Sequence, residues 1–271
     1  MADPVREDAW LVALDVDGTV VDYDQRLSPR VRAAVAAVRD AGHHVVVSTG
    51  RSIMGTERVL AELGLTRGFT VCSNGAVTVA LDPDEDLGWR VHRTVTFDAR
   101  PAVELLRREV PDALFAVEVT GVGTRVTGEW PEGELSGRLF TVPFEELLDG
   151  ETTRVVVRSP DRTADHFVEL AERIGLHGVT YAVGYTAWLD IAPEGVSKAS
   201  ALEEVRRELG VAPERTLAAG DGRNDLEMLA WAARAGAMGN APAEVRAAAG
   251  EVAPNVDEDG LAVVLEGFVG T

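Results

Sequence analysis

The stretch Trp10-Leu-Val-Ala-Leu-Asp-Val-Asp-Gly-Thr-Val20 decides the fold of this chain. An unbroken apolar run that ends abruptly in acids and a glycine predicts a strand buried on both faces, as at the centre of a parallel sheet. Asp15 and Asp17 share a face of an extended chain because they are two residues apart. Ligands of open α/β sheets bind at the carboxyl ends of the strands, so both carboxylates lie at a candidate ligand site.

A divalent metal ion is the expected ligand between these acids. Two neighbouring carboxylates repel each other unless a cation joins them, and hard cations prefer carboxylate oxygens. An ordinary acidic turn is the alternative interpretation, because Asp and Gly are common turn residues.

Two further polar loops are predicted at the same edge of the sheet. The apolar run at 45–48 follows a predicted helix and ends in Thr49-Gly50-Arg51, so it completes a βαβ unit. A hydroxyl, a backbone amide and an arginine suit a phosphate, although a turn that caps the next helix has a similar composition. A third strand, Phe69–Cys72, runs into Ser73-Asn74-Gly75, which is either a simple turn or a third loop of the site.

An inserted domain is predicted in the middle of the chain, because the pattern changes near residue 81 to short strands and helices with polar connections. We expect a core formed by residues 1–81 and 191–271 and an inserted α+β domain at 82–190. The candidate strands in the insert are Val91–Phe97, Leu114–Thr120, Arg125–Thr127, Arg154–Arg158 and Val179–Val183, and the candidate helices are Ala102–Glu109 and Ala164–Ile174.

Lys198 is the only lysine among 26 basic residues. It follows Ser197, a plausible helix cap, so it lies in a first helical turn, where the helix dipole disfavours a cation. A compact ammonium kept at an unfavourable position indicates an anionic neighbour, although a coding bias toward arginine would also leave a single lysine.

A second buried strand ends in acids near the carboxyl end of the sequence. The apolar run at 216–220 leads into Asp221-Gly-Arg-Asn-Asp225, in which the second acid precedes a helix and can lie above the first. Taken alone, this is a loop with a capping aspartate. Together with Asp15 and Asp17 it places four carboxylates at one edge of one sheet, a concentration that would be unstable without a metal ion.

The composition narrows the functional class. The net charge of −19 argues against nucleic acid and anionic membranes as partners, because both would repel the protein. It does not exclude an anionic substrate, since a metal ion and a few cations reverse the field locally. A single cysteine excludes an intrachain disulfide, and no signal peptide or membrane-length apolar run is visible, so we expect a soluble cytoplasmic protein.

Four segments of the sequence, in this order, resemble the motifs of the haloacid dehalogenase superfamily of phosphotransferases. The segments that are similar to its four motifs are Asp15-Val-Asp-Gly-Thr19, Thr49-Gly-Arg51, Lys198 and Gly220-Asp-Gly-Arg-Asn-Asp225. The insertion between the second and third motifs, with the tail Met238-Gly-Asn-Ala241, resembles the Cof-type branch, which carries a class IIB cap. The implied fold is a doubly wound, Rossmann-like parallel-sheet core with an inserted α+β cap domain.

The resemblance also implies roles for the motif residues. Asp15 would be the nucleophile that forms an aspartyl-phosphate, and Asp17 the general acid and then the general base. Asp15, Asp221, Asp225 and the backbone carbonyl of Asp17 would hold Mg²⁺. The residues that would bind the phosphoryl group or line its pocket are Thr49, Gly50, Lys198, Asn74 and Asn224, with Arg51 ranked lower.

The expected function is Mg²⁺-dependent hydrolysis of small phosphorylated metabolites, with sugar phosphates as the favoured class. A phosphomannomutase-like transfer between substrate positions would use the same residues. A binding protein that keeps the fold without turnover is a further alternative, which the intact pair of Asp15 and Asp17 disfavours.

Overall fold

Two β-sheets organise the part of the chain that the computed structural model describes, residues 8–150, 152–159, 169–170, 179–183 and 188–270. The strands are β1 (Leu11–Leu14), β2 (His44–Ser48), β3 (Gly68–Cys72), β4 (Val77–Leu81), β5 (Trp89–Thr94), β6 (Leu114–Val119), β7 (Gly123–Val126), β8 (Arg138–Thr141), β9 (Val155–Arg158), β10 (Val179–Val183), β11 (Trp188–Pro193), β12 (Thr216–Gly220), β13 (Arg234–Ala237) and β14 (Glu251–Val252). The α-helices are α1 (Pro29–Asp40), α2 (Ile53–Leu63), α3 (Arg100–Glu109), α4 (Phe144–Leu147), α5 (Lys198–Glu208), α6 (Leu226–Trp231), α7 (Ala243–Ala248) and α8 (Gly260–Val269).

The first sheet has eight strands in the order β14-β13-β12-β1-β2-β3-β4-β5. Its strands are parallel except for β4 and β5, which form an antiparallel edge. Helices α1, α2 and α8 cover one face and α5, α6 and α7 the other. This arrangement confirms the predicted doubly wound core.

Strand β1 lies near the middle of this sheet, as its apolar run predicts. All four of its residues are fully buried, and it pairs in parallel with β2 on one side and β12 on the other. Because parallel neighbours end at the same edge, the segments that follow β1, β2, β3 and β12 meet in one place. The site is built there.

The second sheet has six strands in the order β10-β11-β9-β6-β7-β8, antiparallel except between β7 and β8. One face packs on α3 and α4 through apolar side chains of β6, β9 and β11. The other face carries a small apolar cluster around Trp130 and, beside it, polar residues that line the cavity at the site. This sheet and its helices confirm that an α+β unit is inserted in the core.

Sheet membership corrects both expected borders of the insert. Strand β5, which we expected in the inserted domain, pairs with β4 in the core sheet, because the polar turn after Leu81 closes a hairpin. Strand β11 continues the second sheet to Pro193, beyond the expected border at residue 191. We therefore place the two connections after β5 and after β11. Most of the predicted helix Ala164–Ile174 lies outside the described residues.

Candidate active site

Three of the four predicted carboxylates meet at the carboxyl edge of the core sheet. Asp15 follows β1, Asp221 follows β12, and Asp225 ends a short 3₁₀ turn before α6. One oxygen of each carboxylate lies within 4.8 Å of the others, and all three residues are buried. The sequence prediction that strand ends would bring these acids together is confirmed by their positions.

Lys198 lies between two of these acids. Its Nζ donates hydrogen bonds of 2.6 Å to Asp15 Oδ1 and 2.6 Å to Asp225 Oδ1, and its side chain is fully buried. It is the first residue of α5, whose cap Ser197 forms a reciprocal pair of hydrogen bonds with Ser200. The anionic neighbours inferred from its unfavourable helix position are therefore these two carboxylates.

Burial controls the protonation of this cluster. Removal from water raises the pKa of Asp15 well above its usual range, and the charge of Asp225 adds to the rise while Lys198 opposes it. The two carboxylates raise the pKa of Lys198 despite its burial, so its ammonium stays charged. When all three carboxylates are ionised, the single ammonium leaves an excess of negative charge, so a further cation would lower the raised pKa of Asp15 and stabilise the cluster.

Asp225 also shapes the loop in which it lies. Its Oδ2 accepts the backbone N–H of Asp221 at 3.0 Å and that of Gly222 at 2.8 Å. One oxygen of Asp225 therefore belongs to the acidic cluster, and the other closes the loop before it. The interpretation as a cap of the following helix was wrong, because the Asp225 side chain makes no cap hydrogen bond to the described first turn of α6.

Asp17 lies apart from the acidic cluster and pairs with Arg51. The Arg51 guanidinium donates to both carboxylate oxygens of Asp17, one of them at 2.8 Å, and Gln25 Nε2 donates at 3.0 Å. Burial alone would raise the pKa of Asp17, but the hydrogen bonds and charge of Arg51 lower it. Asp17 is therefore held as a carboxylate, with its side chain 48% exposed toward the cavity.

The predicted phosphate loops converge beside Asp15. Thr49 is buried, and its Oγ1 accepts the backbone N–H of Arg51 at 3.1 Å. Asn224 Nδ2 donates to Asn74 Oδ1 at 3.0 Å, which ties the loop after β12 to the loop after β3. Asn74 adopts a left-handed conformation with φ of 53°, as the turn interpretation of Asn-Gly predicts.

A cavity of about 780 Å³ lies between the two sheets. Its core side is lined by most of the predicted residues: Asp15, Asp17, Thr49, Gly50, Arg51, Asp221 and Asn224. Lys198 and Asn74 contact lining residues without being part of the lining themselves. The arrangement offers a buried carboxylate, a cation beside it and a second, exposed carboxylate at one end of a cavity large enough for a small metabolite.

Sequence reasoning missed two residues that hold Asp221. Tyr23 Oη and Asn240 Nδ2 each donate to Asp221 Oδ2 at 3.0 Å, and Asn240 also donates to the carbonyl oxygen of Gly18 at 3.0 Å. Asn240 follows β13, the neighbour of β12, so the strand-end argument could have found it. No sequence signal distinguishes Tyr23.

Gly18 gives a test of how closely the loops approach one another. It has φ of 76°, and a Cβ there would lie 2.2 Å from Asp221 Oδ2. We expect Gly18→Ala to displace Asp221 and to lower kcat/KM at least about 100-fold, because small misplacements in a catalytic site cost that much. Steady-state kinetics of the phosphate release that the sequence predicts would measure the loss.

Gly88→Ala is the matched control for this prediction. Gly88 has nearly the same φ, 74°, with nothing within 4 Å of the added Cβ. It should cost about 1 kcal/mol of stability for the left-handed backbone and leave kcat/KM unchanged. Equal kinetics for the two variants would show that the contact with Asp221 is unimportant.

Comparison with known proteins agrees with this geometry. The model of the haloacid dehalogenase-like hydrolase family matches residues 12–105 and 138–265. The 5-amino-6-(5-phospho-D-ribitylamino)uracil phosphatase YitU of Bacillus subtilis is 26% identical over 96% of this chain and 97% of its own length. The phosphoglycolate phosphatase of Natronomonas pharaonis is 29% identical over 94% of this chain and 96% of its own.

The fold is shared with solved structures as well. The subclass IIB sugar phosphatase BT4131 superposes with a TM-score of 0.81 at 23% sequence identity, covering 96% of this chain and 99% of that one. In the part of the chain that the structure describes, no helix has the length and apolar character to cross a membrane. The chain belongs to the haloacid dehalogenase-like hydrolases, and its activity class is that of a phosphoric monoester hydrolase.

Proposed function

We propose that the protein hydrolyses monophosphate esters of small metabolites, in the presence of Mg²⁺, through a phosphorylated Asp15. The observation that carries this proposal is the placement of Asp15 at the end of the cavity, beside the charged Lys198 and the carboxylates of Asp221 and Asp225. This arrangement combines a nucleophile with the positive charge that phosphoryl transfer needs.

The acidic cluster suits a hard divalent cation. Its potential ligands are the carboxylate oxygens of Asp15, Asp221 and Asp225, with no thiolate or imidazole among them. Magnesium takes oxygen ligands and keeps several waters, so a few protein carboxylates are enough. When bound, Mg²⁺ supplies positive charge that offsets the repulsion between these acids and the phosphate. The backbone carbonyl of Asp17 remains a predicted further ligand.

Two steps account for the hydrolysis. In the first, an Asp15 oxygen attacks phosphorus, the bond to the leaving oxygen breaks, and Asp17 donates the proton that this oxygen needs. In the second, Asp17 accepts a proton from the water that attacks the aspartyl-phosphate, which frees phosphate and regenerates Asp15. Asp17 must be protonated for the first step, so its ion pair with Arg51 has to open when substrate binds.

The remaining core residues support the transferring group. We assign to Thr49, the Gly50 amide and Lys198 the binding of the phosphoryl oxygens, since this chemistry depends on placement and charge stabilisation. Asn224 lines the same end of the cavity, and Asn74 orients it through their shared hydrogen bond. Arg51 pairs with Asp17, and its contact with the phosphoryl group stays a prediction.

Sugar and sugar-alcohol phosphates are the proposed substrate class. One relative is named for a phosphoribityl compound and another for phosphoglycolate, so the family accommodates different leaving groups on the same core. The cavity extends from Asp15 to the inserted sheet, which leaves room for a sugar beyond the phosphate.

The first test is phosphate release from a panel of sugar phosphates with Mg²⁺ and with a chelator. We expect release with Mg²⁺ and a loss of at least about 100-fold on chelation, because the metal neutralises charge in the transition state. Mg²⁺ should also raise the melting temperature, since a ligand at about 100 times its Kd stabilises a fold by about 2.7 kcal/mol.

Product analysis distinguishes hydrolysis from a mutase reaction. Hydrolysis yields free phosphate in equal amount to the dephosphorylated product, whereas a mutase yields an isomeric sugar phosphate. A rise in melting temperature with Mg²⁺ but no product of either kind would favour a binding protein and contradict the proposal.

A further inference from the structure

The free face of the inserted sheet presents a row of polar side chains to the cavity. Glu118 on β6, Thr124 on β7, Arg154 just before β9, and Trp188 and Asp190 on β11 all line it. Residues two apart on a strand share a face, and the alternate residues of β6, β9 and β11 belong to the apolar cluster around α3 instead. The row therefore faces the part of a substrate that lies beyond its phosphate.

Glu118 is the member of the row with an unfilled hydrogen bond. It is 8% exposed, and its Oε2 accepts a hydrogen bond from Ser73 Oγ in the core. Its Oε1 is buried and has no hydrogen-bond partner within the described part of the chain. Burial raises the pKa of Glu118, although the charge of Arg154 and the hydroxyls of Ser73 and Thr153 oppose the rise. A buried acceptor without a donor is costly unless a ligand supplies one.

Arg154 and Asp190 extend the row with a charged pair. Arg154 Nε donates to Asp190 Oδ1 at 2.6 Å, and Trp188 Nε1 donates to Asp190 Oδ2 at 3.0 Å. Both oxygens of Asp190 are thus held in place, and the Trp188 ring is fixed beside them. A rigid set of acceptors next to an aromatic ring is typical of sites that bind hydroxyl groups on a carbon skeleton.

Negative charge prevails on this side of the cavity. Among the residues of the insert that line the cavity, four are acids and one, Arg154, is a base. One of the four acids, Glu134, is neutralised by an ion pair of 2.8 Å with Arg158. The four acids are Glu118, Glu132, Glu134 and Asp190. A leaving group with its own carboxylate or phosphate would be repelled here, whereas hydroxyl groups would find acceptors.

We propose that the row of Glu118, Arg154 and Asp190 binds the leaving group and selects a neutral, polyhydroxylated one over one that carries a second anion. Glu118 is the specificity-determining residue, through a hydrogen bond from a substrate hydroxyl to its carboxylate at the cavity wall. This inference rests on the proposed phosphatase function and deepens it.

Matched pairs of substrates test the selectivity directly. Glucose 6-phosphate and 6-phosphogluconate differ by a carboxylate, and fructose 6-phosphate and fructose 1,6-bisphosphate by a phosphate. We expect kcat/KM to be at least about tenfold higher for the neutral member of each pair, which corresponds to about 1.4 kcal/mol. Equal values within both pairs would overturn the inference and leave the phosphatase function intact, whereas no release from any substrate would contradict the function itself.

Glu118→Gln tests the residue. The amide keeps the size of the side chain and an acceptor for Ser73, but it removes the charge. We expect kcat/KM for glucose 6-phosphate to fall about tenfold, in line with the loss of a hydrogen bond to a charged group. We also expect the ratio of kcat/KM between the neutral and the anionic substrate of each pair to decrease. Hydrolysis of p-nitrophenyl phosphate, which has no hydroxyl groups to bind, should change less than about twofold.

Two further variants make this test specific. Glu104→Gln removes the same charge from an exposed position on α3, on the opposite side of the inserted sheet. It should leave the ratio of kcat/KM between neutral and anionic substrate unchanged in both pairs. Ser73→Ala removes the contact between core and insert but leaves the Glu118 carboxylate. If Ser73→Ala narrowed the substrate ratios as much as Glu118→Gln, Glu118 would act by holding the insert against the core, and the proposed contact with substrate would be wrong.

Discussion

Replacement of Asp15 with Asn is expected to abolish phosphate release, with a loss in kcat of at least about 10⁴-fold. The amide is nearly the same size as the carboxylate, so the cavity keeps its shape, but the amide oxygen is a poor nucleophile and cannot form the aspartyl-phosphate. The hydrogen bond from Lys198 Nζ to the Asp15 oxygen can persist, which limits the structural disturbance. Single-turnover phosphate release in the presence of Mg²⁺ measures the loss.

The control for this prediction is Asp24→Asn. Asp24 is exposed near the same loop, pairs with Arg26 and does not line the cavity. It should leave kcat unchanged, because an exposed ion pair contributes little. Acid-quenched wild-type protein should carry one phosphoryl group on the peptide that contains Asp15. If Asp15→Asn kept a tenth of the activity, the nucleophile would be another residue.

Replacement of Lys198 with Met is expected to cause the largest loss of stability. The ammonium is the only cation that hydrogen-bonds to Asp15 and Asp225 among the contacts that the structure describes, and all three side chains are buried. Removal of one partner from a buried ion pair costs about 3–5 kcal/mol, which corresponds to a fall in melting temperature of about 10 °C for a chain of this size. Thermal melting in the presence of a chelator would measure it.

Magnesium should restore part of this stability but not the activity. A divalent ion at the acidic cluster would replace the lost positive charge, so the melting temperature of the variant should rise more with Mg²⁺ than that of the wild type. Turnover should stay at least about 100-fold low, because the phosphoryl group would still lack its ammonium.

Arg30→Met is the matched control, since it removes a cation from an exposed ion pair with Glu266. It should leave the melting temperature nearly unchanged, because ion pairs at the surface contribute little. A similar melting temperature for Lys198→Met and wild type would show that the buried carboxylates are neutral in the folded protein, contrary to the charge balance described above.

The core of the site was predictable from the sequence because a general rule connects strand ends to ligands. Each strand of a parallel sheet is visible in the sequence as an apolar run, and the residues that follow such runs must gather at one edge of the sheet. This rule identified Asp15, Asp221 and the phosphate loops, and it would also have reached Asn240. Lys198 was identified for a different reason, because a lone lysine at the start of a helix needs an anionic neighbour.

The same reasoning failed at the borders of the insert. The polar turn after Leu81 was interpreted as a change of domain, but it closes a hairpin that adds β5 to the core sheet. A turn has the same composition whether the chain continues in the same sheet or leaves it, because local geometry is all that turn residues encode. Strand pairing over longer distances decides which sheet a strand joins.

The sequence by itself determined the core fold, the acids at its carboxyl edge and the chemistry that they favour, because these follow from local patterns and from the order of the strands. Only the tertiary structure decided that Arg51 pairs with Asp17, that Tyr23 holds Asp221, and that Glu118 on the inserted sheet faces the cavity. These contacts join residues far apart in the chain, through side-chain directions that depend on how the two sheets pack. No local pattern records that packing.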